Sequence, residues 1–364
     1  MFVRQEFAGS LTNSSKESGR KRNRGGLKQG MKAIQYGLGP VGCAVFRLGI
    51  ERGLHYVGAV DQDPGKIGRD LGLVAGLGEP LGVAVAGEAG KVLAQNQGVV
   101  VTHATGSSLR QVAGQLVDLL KAGCTVVSTC EELSYPYLRY PEEAALLDET
   151  AKKYGGRLLG TGVNPGFVMD FLPLALTAAA QKVTALRVER VVDAARRREP
   201  LQRKVGVGLS REEYLRGVEE GRIRHVGLPE SAAMLAAGMG WKLERFEEEI
   251  EPVIADRPLR GANGTVEPGF VAGTRQVFRG FVNGPEPKIV LELKMAVDEE
   301  EVDRIFIEGH PPLTFQVCGG VPGDLATASV LINSLAGLLE LPPGLHTMLD
   351  LNRARFRPFS CRQS

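Results

Sequence analysis

The chain has 364 residues, 43% of them apolar, with a net charge of +2, five cysteines and five histidines. That is enough for two modest domains with real cores. No apolar run is as long as a membrane span, no CxxC or HExxH spacing marks a metal site, and an odd, scattered cysteine set suits a reducing, cytoplasmic compartment rather than a disulfide framework.

Residues 1–30 carry seven Lys or Arg against two acids, +5, which leaves the rest of the chain at −3. The basic run "KESGRKRNRGG" therefore belongs to the N-terminal segment, and no basic body face points to nucleic acid. This segment is rich in Ser, Asn, Gly and Arg without apolar periodicity, so disorder is expected. A transit peptide, a polyanion-binding arm and a non-functional extension stay open, with Met31 opening the folded part.

"KAIQYG" reads as a buried parallel strand. It leads into Gly37-Leu38-Gly39-Pro40-Val41-Gly42, a G-x-G-x-x-G turn, then a helix-like segment, then "YVGAVD" ending in Asp61, 19 residues beyond Gly42. This is the dinucleotide-binding fingerprint. Gly37 allows the tight turn, Gly39 lets backbone N–H groups meet a pyrophosphate, and Gly42 lets the helix approach the strand. The helix N-terminus with Pro40 and Val41 faces the phosphates, and Asp61 accepts the ribose hydroxyls of NAD. Lys66 and Arg69, which follow, leave NADP open as well.

The alternation continues through "GVVVTHATGSS", "LRQVAGQLVDLLKAG", "CTVVSTC", "PEEAALLDETAKKYG" and "RLLGTGVNPGF". It implies an α/β fold with a Rossmann-type, doubly wound parallel sheet, ligands lying beyond the carboxyl ends of its strands. Thr105, Gly106, Cys130, Glu131, Glu132 and Asn164 fall on that rim. Thr105, Gly106 and Asn164 join the glycine turn and Asp61 as cofactor-binding candidates. His103 either orients the nicotinamide or packs.

Beyond about residue 182, "KVTALRVERVVDA", "VAGTRQVFRGFVNG" and "PKIVLELKMAV" read as longer strands of a mostly antiparallel sheet in an α+β substrate domain, which also suits an interface in a homodimer. The Arg-rich "ARRREPLQRK" reads as a loop. "GDLATASVLINSLAGLLEL" reads as a long apolar helix that returns to the first domain, with Asp324 as its N-cap or pinning it with Asn333. The expected division is a tail (1–30), a dinucleotide-binding domain (31–165), a substrate and oligomerisation domain (166–322) and a returning segment (323–364).

The motifs "GLGPVG", "GAVDQDPGKIGRDLG", "STCEELSYP", "RRREPLQRKVGVGL", "RHVGLPES" and "GDLATASVLINSLAGLLELPPGLHTMLDL" together resemble 2,4-diaminopentanoate dehydrogenase and the native amine dehydrogenases. The likeness runs from residue 31 to about 352, and the last four motifs are the specific ones. The wider fold is similar to that of dihydrodipicolinate reductase, but that enzyme's His-His-x-x-x-Lys segment is absent. The resemblance implies NAD(P)-dependent oxidation of an amine on a small amino acid to a ketone and ammonia, reversible as reductive amination. A cyclic-imine reductase, which needs no ammonia, and a non-catalytic NAD(P)-binding sensor are the alternatives.

An ammonium must lose a proton before its carbon gives up hydride, and a carboxylate stabilises the cationic iminium that forms. Glu131 and Glu132 stand where both tasks arise; adjacent acids point different ways, so one of them reaches the substrate, and Glu131 is the preferred one. Their other account is a helix-start or solvated pair. Arg198, Arg203 and Lys204 are candidates to hold a substrate carboxylate, Lys204 counted with the catalytic set and Arg203 with substrate binding; for the arginines a solvated loop is the alternative. His225 either orders substrate or is a structural histidine.

Overall fold

The computed structural model describes residues 30–196, 199–261 and 264–351. The N-terminal segment with its expected disorder, and Arg198, lie outside these residues. The first half of the chain alternates β1 (Met31–Tyr36), α1 (Pro40–Glu51), β2 (Leu54–Val60), α2 (Leu71–Val74), β3 (Val85–Ala86), α3 (Ala89–Gln95), β4 (Val100–His103), α4 (Leu109–Lys121), β5 (Thr125–Ser128), α5 (Pro141–Tyr154) and β6 (Arg157–Gly160). The chain continues through α6 (Phe171–Leu176), β7 (Lys182–Asp193), α7 (Glu199–Lys204), α8 (Arg211–Glu219), α9 (Leu228–Met239) and β8 (Arg245–Ile254). There follow β9 (Leu259–Gly261), β10 (Gly264–Val266), β11 (Val271–Phe281), β12 (Pro287–Ala296), β13 (Val302–His310), β14 (Leu313–Cys318), α10 (Gly323–Leu339), β15 (Gly344–His346) and α11 (Met348–Leu351).

Seven strands pair in the order β15-β6-β5-β4-β1-β2-β3, all parallel. Parallel strands need helical crossovers, which cover both faces, so the inner strands are buried on both sides. All four residues of β4 and of β5 are buried. One face packs against α4 and α5 through Leu116, Leu120 and Leu147, the other against α1 and α10 through Val45, Phe46, Leu331 and Leu335. Burying a side chain such as Phe46, fully enclosed, contributes roughly 1.5–3 kcal/mol. α10, the apolar helix after residue 322, therefore takes a place in the layer beside α1.

The second sheet has the order β14-β13-β7-β12-β11-β8 and is antiparallel except for the β7–β12 pair. β7, β12 and β14 alternate in burial as strands with one covered face must, whereas β11 is buried along nearly its whole length. Leu186 and Val188 of β7 and Leu291 and Leu293 of β12 point into a core shared with Leu228, Ala232 and Leu235 of α9. The helix α8 opens with a capping box between Ser210 and Glu213, the signature its sequence carries.

Two local expectations change. The Arg-rich run is not a loop throughout, since Glu199–Lys204 forms α7. Its polar sequence hides an inward side: Gln202 is buried, with its Nε2 donating to the Ala194 carbonyl at 2.7 Å, and Val205, three residues on and just past the helix, is buried too. Asp324 is not the N-cap of α10, which starts one residue earlier with Pro322 in the cap position.

Candidate functional site

The strand order reverses at β1, whose neighbours are β2 on one side and β4 on the other. Ligands of such sheets bind beyond the strand ends at this switch point, and a cleft of about 500 Å³ opens there. One wall is the glycine turn. Gly37 has φ +90°, and a Cβ on it would stand 2.3 Å from the Ala104 carbonyl oxygen, so the β1–α1 turn admits no side chain there. A Cβ on Gly42 would stand 2.1 Å from the Gly37 carbonyl oxygen, whereas one on Gly39 meets nothing within 4 Å. Gly39, Pro40, Val41 and Gly42 line the cleft. No side chain caps α1 at Gly39, so its first-turn N–H groups remain for an anion.

Asp61 sits just past β2 and folds back under this turn. Its Oδ2 accepts the Leu38 N–H at 2.6 Å and its Oδ1 the Asp63 N–H at 2.8 Å, while Lys66 Nζ lies 3.2 Å away. It stands outside the cleft wall proper, on the side of β2 where the fingerprint puts a ribose.

The opposite rim comes from the loops after β4, β5 and β6. Thr105 and Gly106 line the cleft, and the Thr105 hydroxyl donates to Gln115 Oε1 at 2.8 Å. His103 does not reach the cleft. It is wholly buried below the rim, bonded to Ser128 Oγ at 2.8 Å and Gln115 Oε1 at 2.9 Å. Burial lowers its pKa to about 4, so the ring is neutral. Asn164 lines the cleft with both side-chain amide atoms buried and without a hydrogen-bond partner. Buried amides are rarely left so; these two atoms, with the open space at Gly39 and the free helix N-terminus, fit a dinucleotide.

The two acids part company in the short 3-10 turn Glu131–Leu133. Glu131 faces the cleft. Its pKa is raised by burial, which its own N–H, the Ser107 hydroxyl and the Lys204 charge only partly offset. Glu132 turns the other way, into the protein, where its Oε2 accepts the Leu109 N–H at 2.8 Å. That carboxylate occupies the N-terminus of α4, the helix-start account of the pair.

The second sheet closes the cleft. Lys204 at the end of α7, Leu201, His225 and Met295 line it, as do Asp324 and Thr327 of α10. Burial, and behind it the charges of Arg190 and Lys204, lower the His225 pKa to about 4. Arg203 is exposed and outside the cleft wall. Asn333 lines a different groove, between α10 and α11.

Sequence reasoning missed Arg190. It lines the cleft from β7 and is buried, its Nη1 donating to both Asp303 oxygens at 2.7 and 2.8 Å and its Nη2 to the Val321 carbonyl at 2.7 Å. The available signal was register: Val188, Arg190 and Val192 share the inward face of β7, and a charge in an apolar register asks for a partner. Among the described residues, no group of three or more His, Cys, Asp or Glu could hold a metal ion, and no helix is long and apolar enough to cross a membrane.

Known proteins are similar to this chain in sequence and fold. Residues 167–357 match the family model of the 2,4-diaminopentanoate dehydrogenase C-terminal domain. Over 334 residues the chain is 30% identical to the 2,4-diaminopentanoate dehydrogenase of Acetoanaerobium sticklandii, spanning 88% of this chain and 93% of that one. It is 24% identical to an amine dehydrogenase of Streptomyces virginiae over 88% of this chain and 96% of the relative. The solved amine dehydrogenase of Mycobacterium smegmatis superposes with a TM-score of 0.76 at 28% identity, covering 90% of this chain and 98% of the other. On its sequence and its fold together, this chain belongs to the 2,4-diaminopentanoate dehydrogenase family.

Proposed function

We propose that this protein is a NAD(P)-dependent dehydrogenase that deaminates an amine on a small amino acid of the 2,4-diaminopentanoate type to a ketone and ammonia, and runs in reverse as a reductive aminase. The observation that carries the reading is Glu131: a carboxylate of raised pKa in the cleft wall, between the glycine turn and the second sheet.

The bound nicotinamide supplies the hydride acceptor. The glycine turn, Thr105, Gly106 and Asn164 hold the dinucleotide, with Asp61 at its ribose. Glu131 takes a proton from the substrate ammonium, which frees the nitrogen lone pair, and its negative charge then faces the cationic carbon–nitrogen bond as that bond forms. A raised carboxyl pKa brings the base closer to that of the ammonium, which favours the transfer. The Lys204 ammonium attracts a substrate carboxylate to the opposite wall, and Leu201, Val192 and Met295 shield the reacting carbon from water. His225, neutral at working pH, offers a hydrogen bond there without adding charge.

Residues 31–165 would then carry the cofactor and 166–322 the substrate wall, with α10 completing both. Purified full-length protein, given 2,4-diaminopentanoate and either NAD⁺ or NADP⁺, should yield reduced nicotinamide and ammonia in equal amounts. An absence of turnover across a panel of amino-substituted carboxylic acids would remove the reading.

A further inference from the structure

His225 lies between α8 and α9 in a stretch with no regular secondary structure. Such a segment has no ladder to hold its backbone, yet its ring lines the cleft. The holding is done by a side chain on another element. Gln276, fully buried in β11, accepts the His225 N–H on its Oε1 at 2.9 Å and donates from Nε2 to the His225 carbonyl at 3.1 Å. The primary amide thus pairs with the backbone of one residue as a neighbouring strand would. Its remaining N–H donates to Glu248 Oε1 at 2.7 Å, and Glu248 Oε2 receives Arg224 Nη2 at 2.5 Å. Arg224 is the residue before His225, so the segment is gripped at two consecutive positions.

We infer that Gln276 is a positioning residue: its amide fixes the His225 backbone and thereby the place of the imidazole in the substrate side of the cleft. Gln276 itself does not line the cleft, and it acts only through His225. The inference rests on the proposed dehydrogenase reading for its kinetic consequence, but its structural content stands apart from any activity. These two part-buried hydrogen bonds are hard to replace in place, because a backbone N–H or C=O left unpaired away from water has lost one partner without gaining another. Without Gln276 the segment relieves that cost by moving toward water, and the imidazole moves with it. The charges that face the ring from other elements are Arg190 on β7 and Lys204 on α7, and movement toward water weakens their hold as well.

The test is Gln276→Met, which keeps the length of the side chain and removes both hydrogen-bonding ends. Proton NMR titration of the five histidines, with the His225 resonance assigned by its loss in His225→Asn, reads the position of the ring without any substrate. In the wild type His225 and His103 both titrate far on the acid side, at about 4. In Gln276→Met, His225 should rise toward the ordinary value of about 6.5, while His103, buried in the other sheet, stays. KM for the amine should rise roughly tenfold, the equivalent of about 1.4 kcal/mol, with the NAD Kd unchanged. Glu248→Ala removes the third bond of the amide and the Arg224 bond but leaves both bonds to the His225 backbone, and should give a smaller rise in the same direction, which covers the case in which Gln276→Met does not fold. If His225 stays at its wild-type value in the folded variants, the positioning role is overturned. If His103 rises together with His225, Gln276 is merely part of the general fold and the role is likewise overturned. Absence of amine turnover in the wild type would sink the dehydrogenase reading alone and leave the titration to decide this one.

Discussion

Glu132 Oε2 and the Leu109 backbone N–H meet at 2.8 Å, so the second of two adjacent acids is bound to the start of α4 and not to the cleft. In addition, the Glu132 N–H donates to the Ser107 carbonyl at 3.3 Å. The turn that carries Glu131 is therefore tied at two points to the loop carrying Ser107, whose hydroxyl bonds the Glu131 carboxylate.

The clearest consequence is a division of effects between neighbours. Glu131→Gln keeps shape but loses basicity and charge, and should lower amine turnover by roughly 10²-fold or more with little change in Tm or cofactor affinity. Glu132→Gln retains an oxygen to accept the Leu109 N–H and should cost far less turnover. Steady-state kinetics on the two variants check this, and a larger loss at Glu132 would reverse the assignment.

Asp61 links the ribose position to the glycine turn through the Leu38 N–H, and it also pairs with Lys66. Asp61→Ala removes an acceptor for the ribose of NAD and one of the two carboxylates paired with Lys66, the other being Asp63, which loosens Lys66 toward a 2′-phosphate. Titrations with both cofactors should show NAD weakened more than NADP; the opposite ranking would take Asp61 away from the ribose.

His103 makes stability fall in acid. Its folded pKa of about 4 lies below the ordinary 6.5, so the neutral ring contributes fully above 6.5 and that contribution is lost as pH drops from 6.5 toward 4. For one wholly buried ring the loss is on the order of 3 kcal/mol. Buried Glu230 acts in the opposite sense: burial raises its pKa to about 7, and the folded protein gains stability as the pH falls from there toward 4.5. Urea denaturation across this range should show a shallower acid loss in His103→Gln than in the wild type; equal slopes would free His103 of the effect.

The Arg190–Asp303 pair is almost wholly buried, with side-chain exposures of 4% and 0%. Asp303 Oδ2 also accepts the Val321 N–H at 2.7 Å, so the pair secures the turn just before α10. Asp303→Asn leaves a buried guanidinium without its counter-charge, and should destabilise the fold by about 3–5 kcal/mol. Thermal unfolding checks it. A near-neutral effect would mean that Arg190 finds water or another acceptor.

The sequence by itself determined what is local. The glycine turn, α1 and Asp61 fall within one strand–helix–strand unit, where spacing along the chain dictates spacing in space, and the parallel sheet followed from alternating buried runs and amphipathic helices. It also placed Glu131 and Glu132 together after β5. Tertiary structure alone decided which of them faces the cleft, because the choice depends on the α4 N-terminus, which Leu109 supplies from 23 residues away. Arg190 and Asp303 stand 113 residues apart, and His225 and Gln276 stand 51 apart. No periodicity joins such partners: a buried charge finds its complement only when distant strands pair, as β7 and β13 do in the second sheet, and an irregular segment only when it lies against a strand such as β11.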